Sequence, residues 1–281
     1  MTQEQLIEQI VRQVYSQMQI GQLTDEQFSE IIDITSKEAK SRILLDAPMD
    51  REAIKQMKTK TVARIGVGRA GPRLKTTTLL TLRADHAAAQ DSVFTDTDAN
   101  LIERMGLLAV QTLCESRDQH ITRPDLGRQF SKETIDLIKS HCKPRPQVQV
   151  YISDGLSSKA IEANVENFMP ALTNGLAQYG IEIGTPFFVK YGRVASMEPI
   201  AEALGSQVTC VLIGERPGLA TSESMSAYLA YNATVGMPES RRNVVSNIHQ
   251  DGISATEAGA YLADVMKKML DTKTSGVELK L

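Results

Sequence analysis

The chain has 281 residues, enough for about two domains with a buried core. Its 31 Lys+Arg against 34 Asp+Glu leave a net charge of −3, which excludes the basic face that a nucleic-acid partner needs. Its apolar runs fall far short of the ~20 residues of a membrane span, and its first residues lack the charged and apolar regions of a secretory signal.

Three widely spaced cysteines, Cys114, Cys142 and Cys210, argue against a disulfide framework and for a reducing cytoplasm. They do not fall at metal-ligand spacing, and His86, His120, His141 and His249 are scattered, so no metal site is expected.

In chain order, residues 3–18 (QEQLIEQIVRQVYSQM) place Leu6, Ile7, Ile10, Val11, Val14 and Met18 on one helical face, and Gly21 ends the helix. Residues 22–50 lack a sustained apolar face and look like a tether. The segment 1–50 thus reads as an amphipathic helix with a tether, either packed on the protein or serving as a helix-in-groove docking peptide. From Arg51 to 145 the stretches LLTLRADHAAAQDSV, NLIERMGLLAVQTLCES and KETIDLIKSHC carry apolar residues at helical spacing, with Ser131 marking a helix start. This is the pattern of a small helical domain.

After Pro144 and Pro146 the texture becomes β-α-β through 146–281. Strands are expected at 148–152, 181–192 and 206–214, with further ones at 224–232 and 241–248. Helices are expected at 157–180, interrupted near Pro170, at 194–205 and at 255–270. Near-continuous apolar strands separated by helices imply an α/β fold with a Rossmann-like, mostly parallel sheet covered on both faces. On such a sheet, ligands bind at the carboxyl ends of the strands. Ser153-Asp154-Gly155, the KYGRV loop, Glu215-Arg216 and the stretch around Val244 would meet there.

Several short motifs have simpler readings. GVGRAG (66–71) matches G-x-G-x-x-G, but Pro72 follows at once where a helix should open. A Gly-rich loop carrying Arg69 and Arg73 explains it better than a nicotinamide site on Gly66, Gly68 and Gly71. DQHITR (118–123) falls short of the D-x-H-x-x-G pattern in which His ligates cobalt, and reads as a solvated loop. ISDGLSS (152–158) lacks G-x-S-x-G, and Ser157 reads as a helix cap. Glu215 beside Arg216 reads as a local salt bridge. No nucleophile, base and oxyanion site occur together, so no catalytic residue is assigned, and the chain reads as a partner rather than a self-sufficient catalyst.

Longer strings carry a family resemblance. GRAGPRLKT (68–76), TRPDLGR (122–128), VYISDGLSSKAI (150–161), GTPFFVKYGRV (184–194), LIGERPGLATSES (212–224) and SNIHQDG (246–252) together resemble the small (light) chain of bacterial ethanolamine ammonia-lyase. The resemblance implies a two-chain enzyme that uses adenosylcobalamin to convert ethanolamine to acetaldehyde and ammonia. It puts the substrate site in the large chain and makes the small chain a cover over part of the cobalamin. The implied contacts fall on Val194, Glu215 and Val244, the carboxylate accepting hydrogen bonds from the cofactor's rim and the valines packing or using their backbone. The amphipathic N-terminus is similar in kind to peptides that direct such enzymes into a bacterial microcompartment shell. A structural clamp that touches no cofactor is the other function class consistent with the sequence.

Overall fold

The structure is a computed structural model and describes residues 37–61 and 63–280; the expected N-terminal helix at 3–18 lies outside the described residues. The chain forms two compact units, Met1–Asp85 and His86–Leu281. The division falls inside the segment 51–145 expected to form a small helical domain.

In the first unit, helices α1 (Lys37–Ser41) and α2 (Arg51–Lys58) precede a two-stranded hairpin, β1 (Arg69–Ala70) and β2 (Arg73–Leu74). Asp50 caps α2 by accepting from the Ala53 N–H at 2.8 Å, filling one of the donors a helix start leaves unpaired. The hairpin turns at Gly71, whose φ of +61° only glycine takes without strain. Helix α3 (Thr76–Phe94) begins here and runs into the second unit. Buried Asp85 holds Lys40 at 3.1 Å and also Arg64.

The second unit is built on one six-stranded sheet. Its strands are β3 (Leu108–Gln111), β4 (Val148–Ser153), β5 (Phe187–Lys190), β6 (Val208–Gly214), β7 (Met225–Tyr231) and β8 (Asn243–Ile248), in spatial order β3-β5-β4-β6-β7-β8. The first four in that order are parallel neighbours, while β7 runs antiparallel to β6 and β8 antiparallel to β7. An α/β fold with a mostly parallel sheet is thus what the chain forms. The parallel pattern does not extend to the last two strands, because residues 215–224 between β6 and β7 hold no helix to carry a crossover.

Helices cover both faces. Val148, Val150, Ile152, Cys210, Leu212, Ala227 and Leu229 meet α7 (Ser158–Gln178) and α9 (Ala255–Thr272) on one side. Tyr151, Phe187, Val189, Val211 and Ile213 meet α6 (Lys132–His141) and α8 (Met197–Leu204) on the other. All six residues of β4 and all seven of β6 are buried, as expected for central parallel strands.

Two elements differ from expectation. The stretch 100–116 is not one helix: α4 (Ala99–Arg104) ends at Gly106, which has φ +63°, and 108–111 then pairs with β5 as the edge strand β3. Helix α7 is not interrupted at Pro170, which sits inside it on the exposed face. There the Glu166 carbonyl that loses its donor can turn to water, while Phe168 and Leu172 on the inner face stay packed.

Candidate functional site

The loops at the carboxyl ends of β4, β5 and β6 come together at one edge. Gly214 makes this approach possible: a Cβ there would lie 2.0 Å from the Ser157 carbonyl oxygen and 2.5 Å from that of Asp154. The Leu156 N–H donates to the Gly214 carbonyl at 2.9 Å, so the β4 loop is laid directly against the end of β6. Ser157 caps α7 as expected, accepting from the Ala160 N–H at 3.2 Å, and its hydroxyl donates to the Ser222 carbonyl at 2.6 Å.

Glu215 emerges half-buried just beyond β6. Its expected salt bridge with Arg216 does not form among the described residues; instead Oε1 accepts from the Tyr228 hydroxyl at 3.1 Å. Burial, then the Glu215 charge, push the Tyr228 phenol up to about 12, so it stays a donor. Tyr228 is also the register partner of Val211 on β6 and of Val244 on β8. It therefore ties Glu215 to Val244 across three strands, on the α8 face of the sheet.

Val244 was expected near a loop at the same edge. It does lie in the strand expected at 241–248, the outer strand β8, but in mid-strand, level with Val211 rather than at the edge, and is 48% exposed. The antiparallel return of β7 causes the shift, since Ile248 rather than Val244 comes level with Gly214. Beside Val244, exposed Ile253 and Tyr261 extend the apolar surface toward α9.

Val194 opens a short 3-10 turn, Val194–Ser196, three residues past Tyr191, and packs against the same cluster as Tyr228. No side chain caps this turn, which leaves backbone N–H groups at its start for an outside acceptor. Val194 thus packs on the same side of the sheet but follows β5, with β4 and β6 between it and β7, while Glu215 and Val244 are linked through Tyr228, which the sequence reading did not single out. Its signal was the alternation in MSAYLAY, where Tyr228 has the opposite parity to Met225, Ala227 and Leu229.

Beneath the Val194 turn lies a buried polar network. Helix α5 (Arg117–Thr122), capped by Ser116, carries Arg117 and His120 inward. Arg117 donates to Asp154 Oδ2 at 3.0 Å, to the Gly155 carbonyl at 3.1 Å and to Asp96 Oδ1 at 3.1 Å. Burial pushes the Asp154 carboxyl up to about 6 against the pull of Arg117 and the Tyr191 N–H. His120, expected in a solvated loop, is fully buried, and its Nε2–H donates to the Gly155 carbonyl at 2.9 Å. Burial, with Arg193 and Arg117 adding to it, lowers its pKa to about 4, so the ring is neutral.

GVGRAG does not form a dinucleotide fingerprint. Residues 69–74 are the hairpin β1–β2 rather than a strand–turn–helix, and the Gly68 N–H is turned to the Thr78 hydroxyl at 3.2 Å. Among the described residues no group of His, Cys, Asp and Glu could hold a metal ion.

Fold and loop edge together define an α/β protein whose mostly parallel sheet ends in a cluster of polar loops. Residues 51–280 match the family model described as ethanolamine ammonia-lyase light chain (EutC). The chain belongs to that family. It is 60% identical over 251 residues to the ethanolamine ammonia-lyase small subunit of Clostridium tetani, covering 89% of this chain and 85% of that one. The small subunit of Clostridium perfringens is 51% identical over 276 residues, covering 98% and 92%. That of Listeria monocytogenes serotype 4b is 44% identical over 291 residues, covering 99% of each.

Proposed function

We propose that this chain is the small subunit of an adenosylcobalamin-dependent ethanolamine ammonia-lyase and covers part of the cobalamin where it meets the large subunit. The observation that carries the reading is the union of Glu215, Tyr228 and Val244 on the α8 side of the sheet, where Val244 on the outer strand is exposed. The donor set fits a corrinoid, which presents an apolar ring edged by amide groups. Glu215 Oε2 has no partner among the described residues and can accept from an amide N–H. The uncapped Val194 turn can donate to an amide oxygen, and exposed Val244 offers apolar contact.

When bound, the cofactor supplies the radical chemistry that turns ethanolamine into acetaldehyde and ammonia. The residues of this chain bind, orient and exclude water. Tyr228 holds the Glu215 carboxylate in place, so little side-chain freedom remains to be lost on binding. The substrate site belongs to the large subunit. The amphipathic pattern of residues 3–18 supports docking of the complex to a microcompartment shell. No helix among the described residues is long and apolar enough to cross a membrane.

The test mixes this chain with its large-subunit partner, adenosylcobalamin and ethanolamine, and follows acetaldehyde, with each chain alone as control. Acetaldehyde from the mixture only is the expected result; equal activity from the large chain alone would overturn the reading. In the assembled enzyme, Glu215→Ala should weaken cobalamin binding roughly 10- to 100-fold, the worth of a hydrogen bond to a charged group. Unchanged affinity would leave the chain a structural clamp.

A further inference from the structure

The turn that presents Val194 begins with a residue in an uncommon conformation. Tyr191, directly after β5, has φ +60°, which a bulky side chain adopts only when its surroundings force it. Those surroundings are buried and specific. The Tyr191 N–H donates to Asp154 Oδ1 at 2.7 Å, and its carbonyl accepts from the Thr112 hydroxyl at 3.0 Å. Its ring stacks on His120, with centroids 5.8 Å apart, and Arg117 lies over it at 4.8 Å. The next two residues are fixed as well: the Gly192 N–H donates to Ser153 Oγ at 3.1 Å and the Arg193 N–H to the Gly127 carbonyl at 2.8 Å.

Asp154 is central to this arrangement. One carboxylate oxygen takes the Tyr191 backbone and the other takes Arg117, so the loop after β4 dictates the backbone of the loop after β5. All of these side chains are buried, and none of them bonds Val194, Glu215 or Val244. A buried ion pair whose carboxylate is spent on a neighbouring loop's strained backbone is a device for shape. Replacing it with apolar groups would serve plain stability as well or better.

The geometry points to Asp154, aided by Thr112, as a positioning residue that holds Tyr191 in its left-handed conformation and so presents the Val194 turn to the corrinoid. This inference rests on the cobalamin reading above. Loss of either tether lets Tyr191 relax toward an ordinary conformation and turns Val194 away.

The experiment uses the assembled two-chain enzyme and hydroxocobalamin, whose binding is read by equilibrium dialysis and visible absorbance, with hydrogen exchange of the amides at 191–194 as a second readout. Asp154→Ala is expected to raise the cobalamin Kd at least tenfold and to speed exchange at those amides, with a lowered Tm because buried Arg117 loses its buried partner, so the Kd is read at a temperature where the variant stays folded and bound to the large chain. Asp154→Asn, which keeps an oxygen for the Tyr191 N–H, should recover most of the affinity. Thr112→Val, close in shape, should raise the Kd several-fold, and it decides the matter if Asp154→Ala fails to assemble. Wild-type affinity in Asp154→Ala or, failing that, Thr112→Val overturns the inference, even where exchange at 191–194 is faster. Glu215→Ala in the same preparation separates the two ideas: if it weakens binding while the tether variants do not, positioning alone fails, and if it too leaves the Kd unchanged, both fall.

Discussion

His120 shows how little a single position reveals about its own surroundings. DQHITR is polar and reads as loop, yet α5 turns the imidazole fully inward beneath Tyr191. What the string lacks is any sign that Gly155 and Arg193, 35 and 73 residues away, supply its partners. The consequence can be measured. With a folded pKa of about 4 against ~6.5 unfolded, the unfolded chain binds the extra proton between those values. His120 therefore contributes stability that is full above pH 6.5 and lost as pH falls toward 4. Urea unfolding at pH 7 and pH 5 should show the wild type losing about 2 kcal/mol more than His120→Gln. Asp154, raised to about 6, works in the opposite sense, favouring the fold below its unfolded value and losing that contribution as pH rises through 6, but it is common to both proteins and cancels in the difference. Equal losses would mean that His120 is charged in the fold. Glu215, by contrast, was legible as the first residue past a central strand, from the apolar run that ends at Gly214, and only its Tyr228 partner was not.

At the scale of elements, caps and glycines were informative and periodicity less so. Ser131 and Ser157 start helices as read, whereas helical spacing carried across Gly106 concealed β3, because Ile102, Met105 and Leu108 keep a helical interval over a real break. Pro170 misled in the opposite direction, since its place on the solvent face cannot be seen without the packing partner. That partner is α9, and its contact with α7 depends on Gly259. A Cβ there would sit 2.7 Å from the Phe168 carbonyl oxygen and 3.0 Å from the Ala171 Cβ. Gly259→Ala gains about 1 kcal/mol of intrinsic helix preference, yet should lower stability by about 1–3 kcal/mol through overpacking against backbone. Denaturant titration decides between the two, and a stabilised variant would show that the helices can separate without cost.

For the whole molecule, the α/β class and the gathering of loops at the strand ends were readable from apolar strands alternating with helices, while the antiparallel turn of β7 and β8 was not drawn from the helix-free span 215–224. That turn set Val244 in mid-strand rather than at the loop edge without separating it from Glu215, since Tyr228 bridges them. At this scale the N-terminal pattern also gives an expectation: deleting residues 1–20 should leave acetaldehyde formation intact in the two-chain enzyme and release it from the shell fraction on sedimentation. Unchanged encapsulation would remove that role from the segment.

The outer strand β8 has a consequence for how the protein must be made. One margin of β8 pairs with β7; on the other, Ile253 bonds Asn247 and His249 at the far end, and among the described residues no further strand pairs beyond it, with Val244 exposed along the strand and Tyr261 close by. A free strand margin with apolar neighbours is a template for more of the same. Under the two-subunit reading proposed above, a chain made in excess of its partner is able to add to further copies along this margin, and matched synthesis of the two subunits would limit that.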